Sequence, residues 1–270
     1  MARGEGGVVI VVNVTKVIEN RAVTKLCVLI FLFGSLVLVR TAHAQELVVL
    51  LTPRSVPFSW IDEREQLVGF NVDFVQAVCR EMRRQCRLET RRFPEIIPEL
   101  ASGAAAIGVA NFLRTPERER QVAFSLAYWR SSSVFVGHEG GVTVATSDRI
   151  CVIAGSMQQA WISTRGRQGT AEVVALASNE AVLDGLGRGG CPVALLPVMQ
   201  VLPFLQSPAG RGFRFVSAPL DSDGLGGPVH MVVRHGDDSL LKGVNDAITH
   251  LISSGEHERL ARKYFPFSIL

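Results

Sequence analysis

Residues 69–82, GFNVDFVQAVCREM, carry a clear helical pattern. Apolar residues recur at the i, i+3, i+4 and i+7 spacing of a helix packed against a core: Val75, Val78, Cys79 and Met82. The flanking segments predict a strand at 46–52, an extended segment at 86–93, a helix opened by Pro94 and a strand at 105–110. Strands and helices that alternate at this spacing predict a parallel α/β sheet.

The same alternation restarts at residue 149. The predicted elements are a strand at 149–154, a helix at 157–164, a strand at 172–176, a helix at 179–186 and a strand at 193–196. The sequence therefore predicts two α/β lobes, one formed by 45–136 plus 230–270 and the other by 137–229. Because strand carboxyl ends and helix N-termini face the cleft between such lobes, the pattern favours a hinged binding protein.

The first 44 residues are predicted to be a cleaved signal peptide. An apolar run at 26–39 lies between Lys25 and Arg40, and Ala42 and Ala44 are the small residues that a signal peptidase accepts. The run is shorter than the roughly 20 residues of a membrane span, although an uncleaved anchor is the alternative. We therefore expect a periplasmic protein.

The charge of the predicted mature chain excludes some partners. The full chain has 28 basic and 25 acidic residues, and removal of residues 1–44 leaves 23 of each. A chain with no net charge gives no support for a polybasic surface that binds nucleic acid or anionic lipid. We therefore expect no nucleic-acid partner, and we expect a monomer.

Four cysteines remain in the mature chain: Cys79, Cys86, Cys151 and Cys191. An even number in an exported protein fits two disulfides. Zinc is the competing interpretation, but no C-x-x-C pair occurs and no histidine stands at ligand spacing, so no metal is expected. In a lobe with strand order 2-1-3 the strands that begin at Arg149 and Cys191 are neighbours, about 4.8 Å apart, which predicts a Cys151–Cys191 bridge.

Patterns typical of enzymes are weak or missing in the sequence. Residues 185–190 satisfy G-x-G-x-x-G, but they follow a helix and precede a strand, the reverse of a dinucleotide-binding turn. No H-E-x-x-H or G-x-S-x-G motif occurs. The sequence therefore predicts a binding protein without a cofactor rather than an enzyme.

Two motifs, GFNVD at 69–73 and RTPER at 114–118, resemble the family 3 extracellular solute-binding proteins, the periplasmic receptors of polar amino-acid ABC importers. The resemblance extends from about Glu46 to Pro266. It implies the two-lobed periplasmic-binding-protein fold of type II, with two parallel-core sheets joined by a two-strand hinge. It also implies a disulfide between Cys79 and Cys86, a small carboxylate-bearing ligand and an ABC permease in the inner membrane as partner.

The resemblance also implies a set of ligand-binding residues. Arg118 matches the arginine that holds the ligand carboxylate, and a guanidinium can do so with two parallel charge-assisted hydrogen bonds. Asn111 and Ser156 keep hydrogen-bonding capacity beside it, although a turn asparagine and a helix-capping serine are equally good interpretations. Phe93 falls where the family often has a large apolar wall, whereas Ser55 replaces the usual aromatic clamp.

Three positions depart from the family pattern. Leu113 and Met157 stand where hydroxyl groups commonly contact the carboxylate, and Pro197 stands where an aspartate binds the α-ammonium. A desolvated ammonium without a counter-charge costs several kcal/mol, unless Asp221 or Asp223 folds into the cleft. We therefore expect a carboxylate ligand with an uncharged or apolar body. The alternative is a repurposed accessory or sensory protein with a degenerate amino-acid site, similar to the periplasmic partners of quinoprotein dehydrogenases.

Overall fold

A computed structural model describes residues 46–141, 144, 147–165 and 171–270. The predicted signal peptide, residues 1–44, lies outside the described residues. Within those described ranges no helix has the length and apolar character that a membrane span requires.

The predicted helices and strands occur in the predicted order, and the structure adds elements at 54–55, 59–61, 67–68, 116–119, 122–131, 198–206, 213–215 and 256–261. In chain order they are β1 (Leu47–Leu51), β2 (Arg54–Ser55), β3 (Ser59–Ile61), β4 (Leu67–Val68), α1 (Phe70–Glu81), β5 (Cys86–Thr90), α2 (Phe93–Ala101), β6 (Ile107–Leu113), α3 (Pro116–Glu119), β7 (Val122–Ser131), β8 (Ser133–His138), β9 (Arg149–Ile153), α4 (Met157–Arg165), β10 (Glu172–Leu176), α5 (Asn179–Gly187), β11 (Val193–Pro197), α6 (Val198–Gln206), β12 (Phe213–Phe215), β13 (Gly227–Arg234), α7 (Asp238–Ser253) and α8 (Glu256–Ala261).

Two five-stranded sheets form the two lobes. The first has the order β5-β1-β6-β13-β7, in which β5, β1 and β6 are parallel and β13 is antiparallel to both of its neighbours. The second has the order β10-β9-β11-β8-β12, with β10, β9 and β11 parallel and β8 antiparallel to β11 and β12. The predicted two-lobed fold with parallel-core sheets is confirmed.

The chain crosses between the lobes earlier than the sequence predicts. β7 ends at Ser131 in the first sheet, and β8 begins at Ser133 in the second. The return passes Leu220, which bridges Ser133, and reaches the first sheet at Gly227. Strand pairing thus changes from one sheet to the other a few residues before the predicted boundaries at 137 and 230. The extended pattern of β7 runs on into β8, so only pairing with β11 shows where the lobe changes.

A glycine shapes the entry into α1 and thereby one wall of the cleft. Gly69 has φ +129°, and a Cβ there would lie 2.3 Å from the Phe58 carbonyl oxygen, so a larger residue does not fit. The tight entry buries Asn71 in the first turn of the helix, where its Nδ2 donates to Asn111 Oδ1 at 2.9 Å. Tyr128 donates its hydroxyl to Asn71 Oδ1 at 2.9 Å. The end of β6 is thus anchored to the core of the first lobe.

Each lobe contains one disulfide. Cys79–Cys86 joins the end of α1 to the start of β5, with 6.2 Å between the Cα atoms. Cys151–Cys191 joins β9 to the residues before β11, with 5.8 Å between the Cα atoms. Both predicted pairings are present, and the second confirms the inference from strand order.

Candidate ligand-binding site

A cavity of about 320 Å³ lies between the two lobes. Residues at or just after the carboxyl ends of all six parallel strands contribute to its walls, which is where sheets of this kind bind ligands. All eight residues predicted for the site line it: Ser55, Phe93, Asn111, Leu113, Arg118, Ser156, Met157 and Pro197. The fold therefore brings the predicted residues together, and their role in binding stays a prediction.

Arg118 is positioned by the short helix α3. Thr115 caps this helix by accepting a hydrogen bond from the Arg118 backbone N–H at 3.2 Å. The guanidinium then donates from Nη1 to the Leu113 carbonyl at 2.9 Å and from Nη2 to the Gly155 carbonyl of the second lobe at 3.0 Å. Arg118 thus bridges the lobes while part of its hydrogen-bonding capacity is still free for a ligand.

Two aromatic rings support the same guanidinium. Its Cζ lies 5.5 Å from the ring centre of Phe93 and 5.7 Å from that of Phe112, and the two rings stack with 5.1 Å between their centres. Burial lowers the pKa of Arg118 to about 10, so the group stays charged at neutral pH. Within the described part of the chain it makes no salt bridge. The guanidinium is half-buried and its hydrogen-bond partners are neutral, so a bound anion would stabilise its charge.

Three other arginines reach the cavity, and each already has a carboxylate partner. The pairs are Arg54 with Glu180, Arg91 with Glu99 and Arg92 with Glu95. None of the described residues that line the cavity is an aspartate or a glutamate. Arg118 is therefore the arginine of this lining whose charge is available to a ligand.

The ammonium-binding carboxylate that the resemblance implies has no counterpart in the cavity. Pro197 lines the cavity at the end of β11. Asp221 and Asp223 were candidates to replace that carboxylate, but neither lines the cavity. The condition under which either could replace it, a position in the cavity wall, is therefore not met.

The polar side chains beside Arg118 are held by the protein itself. Asn111 has φ +60° and accepts the hydrogen bond from Asn71, which fixes its amide. Ser156 accepts a hydrogen bond from the Gln159 backbone N–H at 3.1 Å and so caps α4, the structural role considered for it. Its own hydroxyl hydrogen remains available toward the cavity that it lines.

Three buried amides of the second lobe also line the cavity, and sequence reasoning missed them: Gln158, Asn179 and Gln200. Each lies in the first turn of its helix, α4, α5 or α6. Gln158 donates from Nε2 to Ser133 Oγ at 2.8 Å, and Gln200 donates from Nε2 to Ser55 Oγ of the first lobe. Gln158 and Asn179 stand at the N-termini of helices that the sequence predicts, and this was the signal that could have found them, whereas the helix that contains Gln200 was not predicted.

A two-lobed α/β molecule with a half-buried arginine in the cleft between its lobes has the architecture of a periplasmic binding protein. The chain matches the bacterial extracellular solute-binding proteins, family 3, over residues 47–267, and it belongs to this family. The predicted family and its periplasmic location are confirmed, and the family is one of binding proteins rather than enzymes.

Characterised relatives and solved structures agree with this assignment. The lysine/arginine/ornithine-binding periplasmic protein of Escherichia coli K12 is 27% identical over 220 residues, which are 79% of this chain and 85% of that protein. The L-arginine-binding protein of Pseudomonas aeruginosa PAO1 is 30% identical with the same coverage. A Salmonella typhimurium periplasmic binding protein with high arginine specificity superposes with a TM-score of 0.76 at 23% identity, covering 82% of this chain and 100% of that one.

Proposed function

We propose that this receptor captures a small carboxylate-bearing solute with an uncharged body and delivers it to an ABC permease in the inner membrane. One observation carries the proposal: the charged Arg118 has neutral partners, in a cavity whose described lining contains no acidic residue. Two relatives are named for binding arginine or other basic amino acids. The described lining of this cavity lacks the carboxylate that such a ligand would need.

The missing carboxylate argues against a standard amino acid. A zwitterion brings an ammonium into the cavity, and its desolvation without a counter-charge costs several kcal/mol. Pro197 offers neither charge nor a backbone N–H, and Leu113 and Met157 add apolar walls. The same walls favour a ligand body without charge.

Closure of the lobes supplies the binding mechanism. Arg118 belongs to the first lobe and donates to Gly155 of the second, next to Ser156 at the N-terminus of α4. A carboxylate held by Arg118 and the Ser156 hydroxyl touches both lobes, so it stabilises the closed arrangement more than the open one. An ABC permease that recognises the closed form would then receive loaded receptor.

Titration calorimetry with matched ligand pairs tests the proposal. Each pair consists of a carboxylate and its α-amino analogue, such as 4-methylpentanoate with leucine and butanoate with 2-aminobutanoate. We expect the member without the ammonium to bind more tightly in every pair. Tighter binding of the amino acids, or no binding of any carboxylate, would contradict the proposed ligand class.

The variant Pro197→Asp tests the same ligand class in the opposite direction, because it adds a carboxylate where an ammonium could use it. Pro197 is the N-cap of α6, a position where aspartate is well tolerated. The new carboxylate should improve the binding of leucine by about 1.5–3 kcal/mol, the range for a hydrogen bond to a charged group. Pro197→Ala is the matched control, because it removes the ring without adding a charge, and it should leave leucine binding weak.

A further inference from the structure

The cleft continues beyond the ligand cavity into a second cavity of about 780 Å³. Apolar side chains of both lobes form most of its walls: Val56, Trp60 and Ile61 from the first, Leu183, Pro203 and Phe204 from the second. Pro53, Arg54, Asn179 and Gln200 line both cavities, so the two spaces are neighbours. Neither the arginine site nor the closure described above uses this apolar groove.

Two polar contacts between the lobes separate the two cavities, and we call this pair of contacts the partition. Gln200 donates from Nε2 to Ser55 Oγ, and Arg54 pairs with Glu180 at 3.2 Å near the surface. Ser55 is a small residue where the family usually has an aromatic clamp. Movement of the Gln200 side chain away from Ser55 would remove one of these two contacts.

The partition also contains buried hydrogen-bonding atoms whose needs are unmet. Asn179 and Gln200 are 4% and 6% exposed, and Asn179 Oδ1 and Gln200 Oε1 have no hydrogen-bond partner among the described residues. Buried acceptors without donors are destabilising. A secondary amide in a ligand supplies the donor that is missing here, because its N–H can donate to Gln200 Oε1.

We propose that the ligand is an N-acylated amino acid or a close analogue, a carboxylate with an amide near its middle and an apolar tail. Its carboxylate lies at Arg118, its amide N–H donates to Gln200 Oε1, and its tail lies in the apolar groove against Ile61 and Leu183. This inference rests on the proposed carboxylate receptor. The inference adds three properties of the ligand to that proposal: its length, an amide N–H donor near its middle and an apolar tail.

Calorimetry with N-acetyl-, N-butanoyl-, N-hexanoyl- and N-octanoylglycine tests the tail. Each methylene that becomes buried should raise the affinity about fourfold. N-octanoylsarcosine lacks the amide N–H and should bind at least about fivefold more weakly than N-octanoylglycine. The same affinity along the whole series, or binding of simple carboxylates but of no acylglycine, would overturn this inference and leave the carboxylate receptor standing.

Substitutions in the apolar groove test where the acyl tail of the ligand binds. Ile61→Asp should abolish the gain in affinity with chain length. Leu126→Asp is the matched control, since Leu126 is also on the first lobe and 49% exposed, against 45% for Ile61, but lies outside the groove. Ser55→Tyr should refill the partition and reduce octanoylglycine binding to the acetylglycine value. Equal behaviour of Ile61→Asp and Leu126→Asp would overturn the placement of the tail.

Discussion

The two sides of the ligand cavity differ in charge. The first lobe supplies Arg118, whose guanidinium is supported by two stacked rings and stays charged. The second lobe supplies Pro197, Met157 and three buried amides, none of which carries a charge. On the proposed function, the first lobe recognises the charge of the ligand, whereas the second contributes hydrogen bonds and apolar contact.

This asymmetry explains how a family of amino-acid receptors can accommodate a different ligand. The carboxylate-binding half is built on the turn around Thr115 and on the rings packed beneath it. The resemblance implies an ammonium-binding carboxylate at the end of β11, where this chain has Pro197. On the proposed function, the lack of a carboxylate at this one position changes the ligand class within the same fold.

Removal of the charge from the first lobe should have the largest effect on binding. Arg118→Ala should cost about 2–5 kcal/mol of ligand binding, the scale for truncation of one partner of a desolvated charge pair. Arg114→Ala is the matched control, because Arg114 belongs to the same turn but pairs with Glu119 and does not line the cavity. Calorimetry with the best carboxylate measures both, and equal losses in the two variants would mean that Arg118 does not hold the carboxylate.

The two disulfides should stabilise their lobes unequally. Cys151–Cys191 closes a loop of 40 residues, whereas Cys79–Cys86 closes one of 7. On the loop-entropy model the double serine variants should lose about 4 and about 2 kcal/mol of unfolding free energy. Urea unfolding under oxidising conditions measures the difference. A greater loss at Cys79 and Cys86 would show that native packing, rather than loop length, dominates.

Short-range patterns predicted most of the fold and the positively charged half of the site. The spacing of Val75, Val78 and Cys79 predicts α1, and the strand order of the second lobe predicts the Cys151–Cys191 bridge. Arg118 follows from its motif because the motif also builds the turn that positions it.

Features that depend on contacts between residues far apart in the sequence could not be predicted. Gln200 looks like an ordinary polar residue in a helix, and its burial depends on Ser55, which is 145 positions away. The crossing after Ser131 is not marked in the sequence, because β7 and β8 share one extended pattern. The alternative of an accessory or sensory protein likewise depends on a partner that the chain itself does not specify.

Acid should destabilise the first lobe through a buried histidine. His257 on α8 is fully buried, with Nε2 2.6 Å from the Tyr128 carbonyl and with the edges of Phe70 and Phe74 against its ring. Burial lowers its pKa, so the unfolded chain, with an ordinary value near 6.5, binds more protons as pH falls. Stability should therefore fall below about pH 6.5, by at most about 1.4 kcal/mol per pH unit from this group.

Chemical denaturation between pH 7.5 and 5 measures this slope. His257→Gln should be less stable at pH 7.5, yet its stability should depend less on pH than that of the parent protein. His250→Gln is the control, because His250 on α7 is exposed. An unchanged slope in His257→Gln would assign the acid sensitivity to other groups, and His230, whose pKa burial also lowers, would be tested next.

The smallest effect is expected where the lobes meet through exposed charges. Arg54 and Glu180 pair across the cleft at 3.2 Å, but their side chains are 62% and 53% exposed, so the pair should contribute less than about 1 kcal/mol to closure. Glu180→Gln should therefore weaken ligand binding by no more than about fivefold at low salt. The ratio of parent to variant affinity should approach one in 1 M salt, where the screening length is about 3 Å. A ratio above tenfold, or one that salt does not change, would show that this contact is desolvated on closure and that the second lobe also contributes charge to recognition.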